Sequence, residues 1–457
     1  MSDSATDGVT QKLVAFVKDL DATTLPPHVQ HECTRALLDA VGCMVGGAHH
    51  ELVEVAHEAL VEFSGPAQAS PLGRARKVDV LTAALLNGLA GAAYSFFETY
   101  SDALLHPAVP VAGALLALSE RHPVTGRQFL SAFAAGLEVA CRLTKGTALP
   151  PAEANEGWSQ TGIVCGVAAA LASGKMLGLD QQQLGWALGT AASEASGTRA
   201  EHGSMAASLV IGRTAQTGLR AALLAANGFS SSAGTIESRF GFANTFAQRP
   251  NLPAMVENLG AEYEIAQLTY KPFPCGIVIH AAIDAMLQLK AEAGFESSAI
   301  ASISAKVSKG AATFGMRANP ANEIEAKFSL HHWVAAAAML GRAGIPEGRL
   351  TVVRDPEIVR LRSIMTAEPD LALAQEAADM TITFKDGRTQ HKRIEHCLGS
   401  AEAPMTDADL ERKFVEQVGM VIGSDRATDL AASCRNIMEL TDVSILPQKA
   451  AEIQIKA

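Results

Sequence analysis

The stretch TYKPFPCGIVIHAAIDA (269–285) gathers three side chains capable of chemistry into one short turn. Lys271 offers a cation for a carboxylate, Cys275 a thiol, and His280 an imidazole at the point where the pattern becomes helical. Pro272 and Pro274 bracket Phe273 and fix their own φ angles, which would stiffen the turn and hold Lys271 in place. The thiol is the weakest candidate of the three. Buried cysteines are ordinarily inert, and no neighbouring residue marks a partner base.

Two other clusters invite a chemical reading and lose it on spacing. HHELVEVAHEA (49–59) sets His50, Glu54 and His57 on one helical face, but the order is not HExxH. A helix face bordering solvent is the ordinary reading, and no metal site is expected. SGKM (173–176) lacks the leading glycine of a phosphate-binding loop, and no GxGxxG follows a strand, so no nucleotide cofactor is expected.

The bulk properties narrow the classes further. A chain of 457 residues is too long for one compact core, and 48% hydrophobic residues supply ample buried surface. Aromatics are only 5%, with Ala and Gly prominent, which favours close-packed helices over a β-sandwich. The formal net charge of −11, with no basic stripe, argues against nucleic acid or an anionic membrane surface as partner. The seven cysteines are scattered without a CxxC pair, as in a reduced intracellular protein. The first twenty residues have no apolar core of a signal peptide, and the apolar stretches fall short of a membrane span. A cytoplasmic protein is the expectation.

The elements that must position these residues read as mainly α. Residues 1–267 form successive helical patterns, among them QKLVAFVKDL, PPHVQHECTRALLDAVGCMVGG and TGRQFLSAFAAGLEVACRLTKG. VDVLTAALLNGLAGAAYSFF and PAVPVAGALLALSERH are apolar all round and should be buried. From 268 to 403 the character is α+β. SSAIASISAKVSKGAATF (297–314) and ADMTITFKDGRTQHKRIEHC (378–397) alternate with a period near two, the latter with a hairpin signal at Asp386-Gly387. Helical patterns EAKFSLHHWVAAAAMLGRAG and DPEIVRLRSIMT lie between them, and residues 404–457 are helical again. The expected fold is a large all-helical domain with a smaller α+β lid domain inserted.

Six separated stretches, in order, resemble the MmgE/PrpD family. They are NGLAGAAYSFFET with HPAVPVAGALLAL (87–118), EGWSQTGIVCGVAAALASGKMLGLD (156–180) and GSMAASLVIGRTAQTGLRAALLAANGF (203–229). YKPFPC with the following His (270–280), EAKFSLHHWVAAA (325–337) and GSAEAPMTDADLERKF (399–414) complete the set. The resemblance implies a cleft between the helical domain and the lid, a homodimer formed through the helical domain, and no metal or organic cofactor. The substrate it implies is a small carboxylate. Dehydratases, decarboxylases and epimerases of this kind exchange a proton or lose a group beside a carboxylate. They need a base, an acid, and cations that absorb enolate-like charge.

Carried over position by position, the resemblance makes His106, followed by Pro107, the favoured proton-transfer residue and Lys271 the carboxylate anchor. Thr99, His280, Lys327 and Ser329 also stand at family-like positions. The departures are marked. Ser95 and Phe97 replace aspartates, leaving Glu98 as the carboxylate of that stretch, and Ser159 replaces a histidine. Ala207 and Val210 replace a lysine and a second histidine. Arg199, Glu201 and His202, just before Gly203, could be replacement polar groups. The catalytic candidates are therefore His106, Lys271, Glu98 and His202. Thr99, Ser159, Arg199, Ala207, Cys275, His280 and Lys327 are candidates for lining the substrate. A lyase is the leading expectation. An epimerase or isomerase is the second, and a family fold with a repurposed site the third.

Overall fold

The computed structural model describes residues 8–149 and 157–452. The first seven residues, Glu156 at the head of the 156–180 stretch, and the last five residues lie outside them, so the readings that fall there have no structural counterpart. The described chain is mainly helical, with small sheets, and divides into two compact units. One comprises residues up to 93, 97–268 and from 407 onward. The other comprises 94–96 and 269–406.

The larger unit is a stack of helices: α1 (Val9–Asp19), α2 (Pro27–Gly46), α3 (Glu51–Leu60), α4 (Val80–Ala92), α5 (Ala108–Ser119), α6 (Gly126–Thr147), α7 (Gln160–Met176), α8 (Gln181–Ser193) and α9 (Met205–Ala226). Their starts are written in the chain. Asp79 accepts from Leu81 N and Thr82 N, both at 3.0 Å, and opens α4. Thr125 with Gln128, and Asp180 with Gln183, form capping boxes at α6 and α8. Helices α4, α5 and α7, apolar on every side, are buried.

Small residues let the buried helices approach closely. At the α4–α9 crossing, a Cβ on Gly88 would stand 2.7 Å from Gly212 Cα, and one on Gly212 would stand 2.6 Å from the Leu85 carbonyl. Only glycine fits at either position. The helices Asp407–Ile422 and Ser424–Arg435 return to this unit, and Lys413 on the first reaches Asp39 of α2 at 2.6 Å.

The smaller unit holds a four-stranded sheet in the spatial order Met365–Pro369, Ile300–Val307, Ala378–Phe384, Thr389–Ile394. The first two strands are parallel and the other neighbours antiparallel. Asp386-Gly387 turns the hairpin as expected. Gly387 takes φ +85°, and Asp386 Oδ1 accepts from Arg388 N at 3.0 Å. The period-two reading of 297–314 ran too far. The strand stops at Val307, because Ser308 caps a helix, Lys309–Phe314, by accepting from Ala311 N at 3.3 Å. Helices His280–Lys290 and Leu330–Leu340 pack together, and the first of them covers the hairpin strands. Residues 94–96 also belong here, which no feature of the residue pattern announces. The Arg349 guanidinium lies 5.8 Å from the Tyr94 ring centre, within cation–π range.

Candidate active site

His106 sits at the mouth of a small closed loop. Tyr100 and Leu105 exchange two backbone hydrogen bonds of 2.8 and 3.2 Å, enclosing residues 101–104. Leu104 closes the loop at φ +51°, a conformation uncommon for any side chain beyond glycine. The closure folds His106 back on the residues that precede the loop, and its Nδ1 lies 2.7 Å from the Glu98 carbonyl oxygen. A carbonyl can only accept, so Nδ1 carries the hydrogen and Nε2 is the basic nitrogen when the ring is neutral. Thr99 Oγ1 lies 3.3 Å from the same Nδ1, and the Phe97 ring meets the imidazole edge-on with centroids 4.3 Å apart. The His106 backbone N–H donates to Thr161 Oγ1 on α7 at 3.1 Å. The ring is half-buried and fixed from several directions.

The loop is in turn anchored to the helical stack. Tyr100 donates its hydroxyl hydrogen to Glu264 at 2.8 Å. Glu264 also takes Lys145 at 2.6 Å, and its own N–H donates to Glu138 at 3.1 Å. Glu138 pairs with the buried Arg142 at 2.6 Å, and Arg142 fastens the carbonyls of Glu257 and Glu262. A chain of charge-assisted bonds therefore runs from α6 to the turn that carries His106.

Glu98, fully buried, has a visible structural task. Its Oε1 accepts from Ala108 N at 2.6 Å, placing a carboxylate at the N-terminus of α5, where the helix dipole favours it. Ser159 caps α7 through Gly162 N at 3.2 Å. The α7 start is held by Arg213, whose guanidinium donates to the carbonyls of Gly162, Glu194 and Ser196. Val210 packs closely against Gly162 and Gly197. A Cβ on Gly162 or Gly197 would come within 2.8 or 2.9 Å of its Cγ1. Ala207 lies in the first turn of α9, half-buried. Arg199 and His202 lie in the turn just before α9, with His202 more exposed than Arg199. Crowding by the surrounding chain and the Arg199 charge lower the pKa of His202.

The remaining candidates belong to the α+β unit. Lys271 is buried and donates to the Ser95 carbonyl at 3.2 Å. Ser95 itself takes φ +54°. Among the described residues only three non-glycine residues have positive φ, and two of them, Ser95 and Leu104, bracket the stretch that carries Phe97, Glu98 and Thr99. Backbone held in rare conformations is a mark of functional sites. Cys275 is fully buried, and loss of solvent pushes its thiol well above the ordinary range, against the pull of Lys271. A thiolate is disfavoured there. His280 is buried against the Phe273 ring, with centroids 5.3 Å apart. Lys327 is buried, and burial lowers its pKa to about 8 while Glu323 pulls the other way. Its carbonyl accepts from Gly276 N at 3.0 Å, which ties the 271–276 turn to residue 327.

The face of His50, Glu54 and His57 does not converge. His50 caps α3 from outside the helix, and Glu54 is taken by Arg74 and His49. Among the described residues, the donors near enough to share an ion are Glu376, His396 and Glu402, on an exposed surface of the α+β unit.

Comparison with known proteins now decides the family. The MmgE/PrpD N-terminal domain matches residues 11–254 and the MmgE/PrpD C-terminal domain matches 273–437. The chain belongs to the MmgE/PrpD family. It is 24% identical to cis-aconitate decarboxylase of Homo sapiens, over 96% of this chain and 93% of that protein. It is also 24% identical to cis-aconitate decarboxylase of Aspergillus terreus, over 97% of this chain and 96% of that protein. The likeness to the Mus musculus enzyme of the same name is again 24%, over 98% and 95%. Family and relatives together make this chain a lyase-type enzyme. No helix among the described residues is long and apolar enough to cross a membrane.

Two positioning residues escaped the sequence reading. Thr161 lies within the quoted 156–180 stretch, but nothing in that stretch shows that its hydroxyl reaches back to His106. Arg213 binds only backbone carbonyls, and such partners leave no trace in the residue pattern.

Proposed function

We propose that this MmgE/PrpD protein is a cofactor-independent lyase that exchanges a proton with the carbon beside a carboxylate of a small organic acid. His106 is the proton-transfer residue. The observation that carries this reading is the 2.7 Å contact of Nδ1 with the Glu98 carbonyl, which puts the hydrogen on Nδ1 and makes Nε2 the basic nitrogen of the neutral ring. The same bond supports the ring in its protonated form, because Nδ1 donates in both states. Lys271 is the carboxylate anchor.

Cis-aconitate decarboxylation, the activity named for the relatives, belongs to this reaction class. In such a step the bond to the departing carboxylate breaks, its electrons move into the carbon frame, and a proton is delivered to carbon. With Ala207 and Val210 where a lysine and a histidine would hold further charge, the reading favours an acid with fewer carboxylates than a tricarboxylate. The protein works in the cytoplasm, as a homodimer.

The test is NMR in deuterated water with a panel of mono-, di- and tricarboxylates that includes cis-aconitate. Loss of CO2 or water from a substrate supports the lyase. Deuterium uptake with the carbon skeleton intact would transfer the assignment to an epimerase or isomerase. No turnover and no exchange with folded protein would sink both. His106→Ala and Lys271→Ala, with their double variant, then read whether one substrate molecule meets both residues. Coupled effects say it does and additive effects say it does not.

A further inference from the structure

In the α+β unit, helix Leu330–Leu340 packs on helix Pro356–Ser363. His331 comes from the first turn of one and Arg362 from the last turn of the other, and each is only 6% exposed. Arg362 Nε and Nη1 are buried without an acceptor, and so is His331 Nδ1. The contrast with Arg360, two residues earlier, is direct. Arg360 pairs with Glu357 at 2.6 Å and donates to the carbonyls of Ser297 and Ile300. No carboxylate plays that part for Arg362 among the described residues. The groups its charge reaches are His331 and His332: burial lowers the pKa of both, with Arg362 next for His331, while at His332 the Glu347 carbonyl pulls upward more strongly than Arg362 pulls down. His332 is itself occupied, with Nε2 2.9 Å from the Glu347 carbonyl.

A guanidinium taken out of water without a counter-charge is costly, and chains keep one where an anion completes it. Its forked donors match the geometry of carboxylate and phosphate oxygens. We propose that Arg362 and His331 form an oxyanion site in the α+β unit, occupied by a small free carboxylate or phosphate. The proposal stands apart from the proton-transfer reading, since neither residue has a part in it.

Isothermal titration of inorganic phosphate and of succinate into the full-length protein, at matched ionic strength in chloride, tests the site. The expected result is saturable binding of at least one anion to the wild type and to Lys271→Ala, weakened roughly tenfold or more in Arg362→Gln. Whichever anion binds more tightly identifies the source. Binding that is unchanged in Arg362→Gln, or lost in Lys271→Ala, overturns the proposal, as does binding of neither anion to the wild type. Thermal unfolding of Arg362→Met in phosphate-free buffer gives a second readout. Removal of an uncompensated charge should leave Tm unchanged or raise it, whereas a fall of several degrees would make Arg362 a structural support and overturn the site.

Discussion

In the helical unit, buried cations have carboxylates: Lys413 meets Asp39, and Arg142 meets Glu138, each at 2.6 Å. In the α+β unit, Arg362 is buried without one, and Lys327 and His332 have pKa values lowered by burial to about 8 and about 4. The two units use charge for different ends. The helical unit uses matched pairs to pin its loops and its C-terminal helices, and thereby the turn that carries His106. Among the described residues of the α+β unit, Arg362 Nε and Nη1 are buried without an acceptor, which is the condition for holding an anion.

The largest effect should come from breaking a matched pair. Asp39→Asn would remove the carboxylate charge that faces the buried Lys413 and cost about 3–5 kcal/mol, read as the shift in urea unfolding free energy. If the helical unit tolerated this substitution as easily as the α+β unit tolerates Arg362→Met, the contrast would be void. His106→Ala comes next. It should lower kcat by roughly 10²–10⁴ while leaving the unfolding midpoint near the wild-type value. Near-normal turnover would remove His106 from the chemistry.

Acid separates the units by a third route. The folded-state pKa of His332 is about 4, below its ordinary 6.5, so the unfolded chain takes up the proton first. The associated stability is full above pH 6.5 and drains as pH falls toward 4, by about 3 kcal/mol in all. Urea unfolding of wild type and His332→Met at pH 7 and pH 4.5 reads the difference. The wild type should lose more stability on acidification than the variant, and equal losses would assign the acid sensitivity elsewhere.

The helices and the hairpin were legible in the sequence because each is encoded locally. An apolar period and an Asp-Gly pair each act within a few residues of themselves. The overrun of the 297–314 strand has the same origin in reverse: Ser308 signals a cap, but small alternating residues beyond it mimic a strand. The candidate site was legible only in part. Its resemblance-bearing residues, His106 and Lys271, stand out by register. The bonds that define them do not, because they join residues far apart in the chain or end on backbone oxygens. Lys271 to Ser95 O, Arg213 to three carbonyls and Nδ1 of His106 to Glu98 O are of this kind. An absence is still harder to read. Arg360 and Arg362 look alike in the sequence, and only the fold shows that, among the described residues, one has acceptors while the other leaves Nε and Nη1 without any.

The smallest expected effect concerns Thr161, and it tests how tightly the helical unit holds its imidazole. Thr161 Oγ1 accepts from the backbone N–H of His106 across 55 residues of chain. Thr161→Val keeps the volume and deletes the acceptor, stranding a part-buried N–H, at a cost of about 1 kcal/mol. A merely structural bond would lower stability and leave kinetics alone. If the bond sets the aim of Nε2, kcat should fall several-fold at unchanged KM, and Thr161→Ser, which restores the hydroxyl, should recover most of it. Full turnover in Thr161→Val would show that the Nδ1 bond to Glu98 suffices, and that the tautomer, more than the anchoring of the backbone to α7, is what the loop is built to fix.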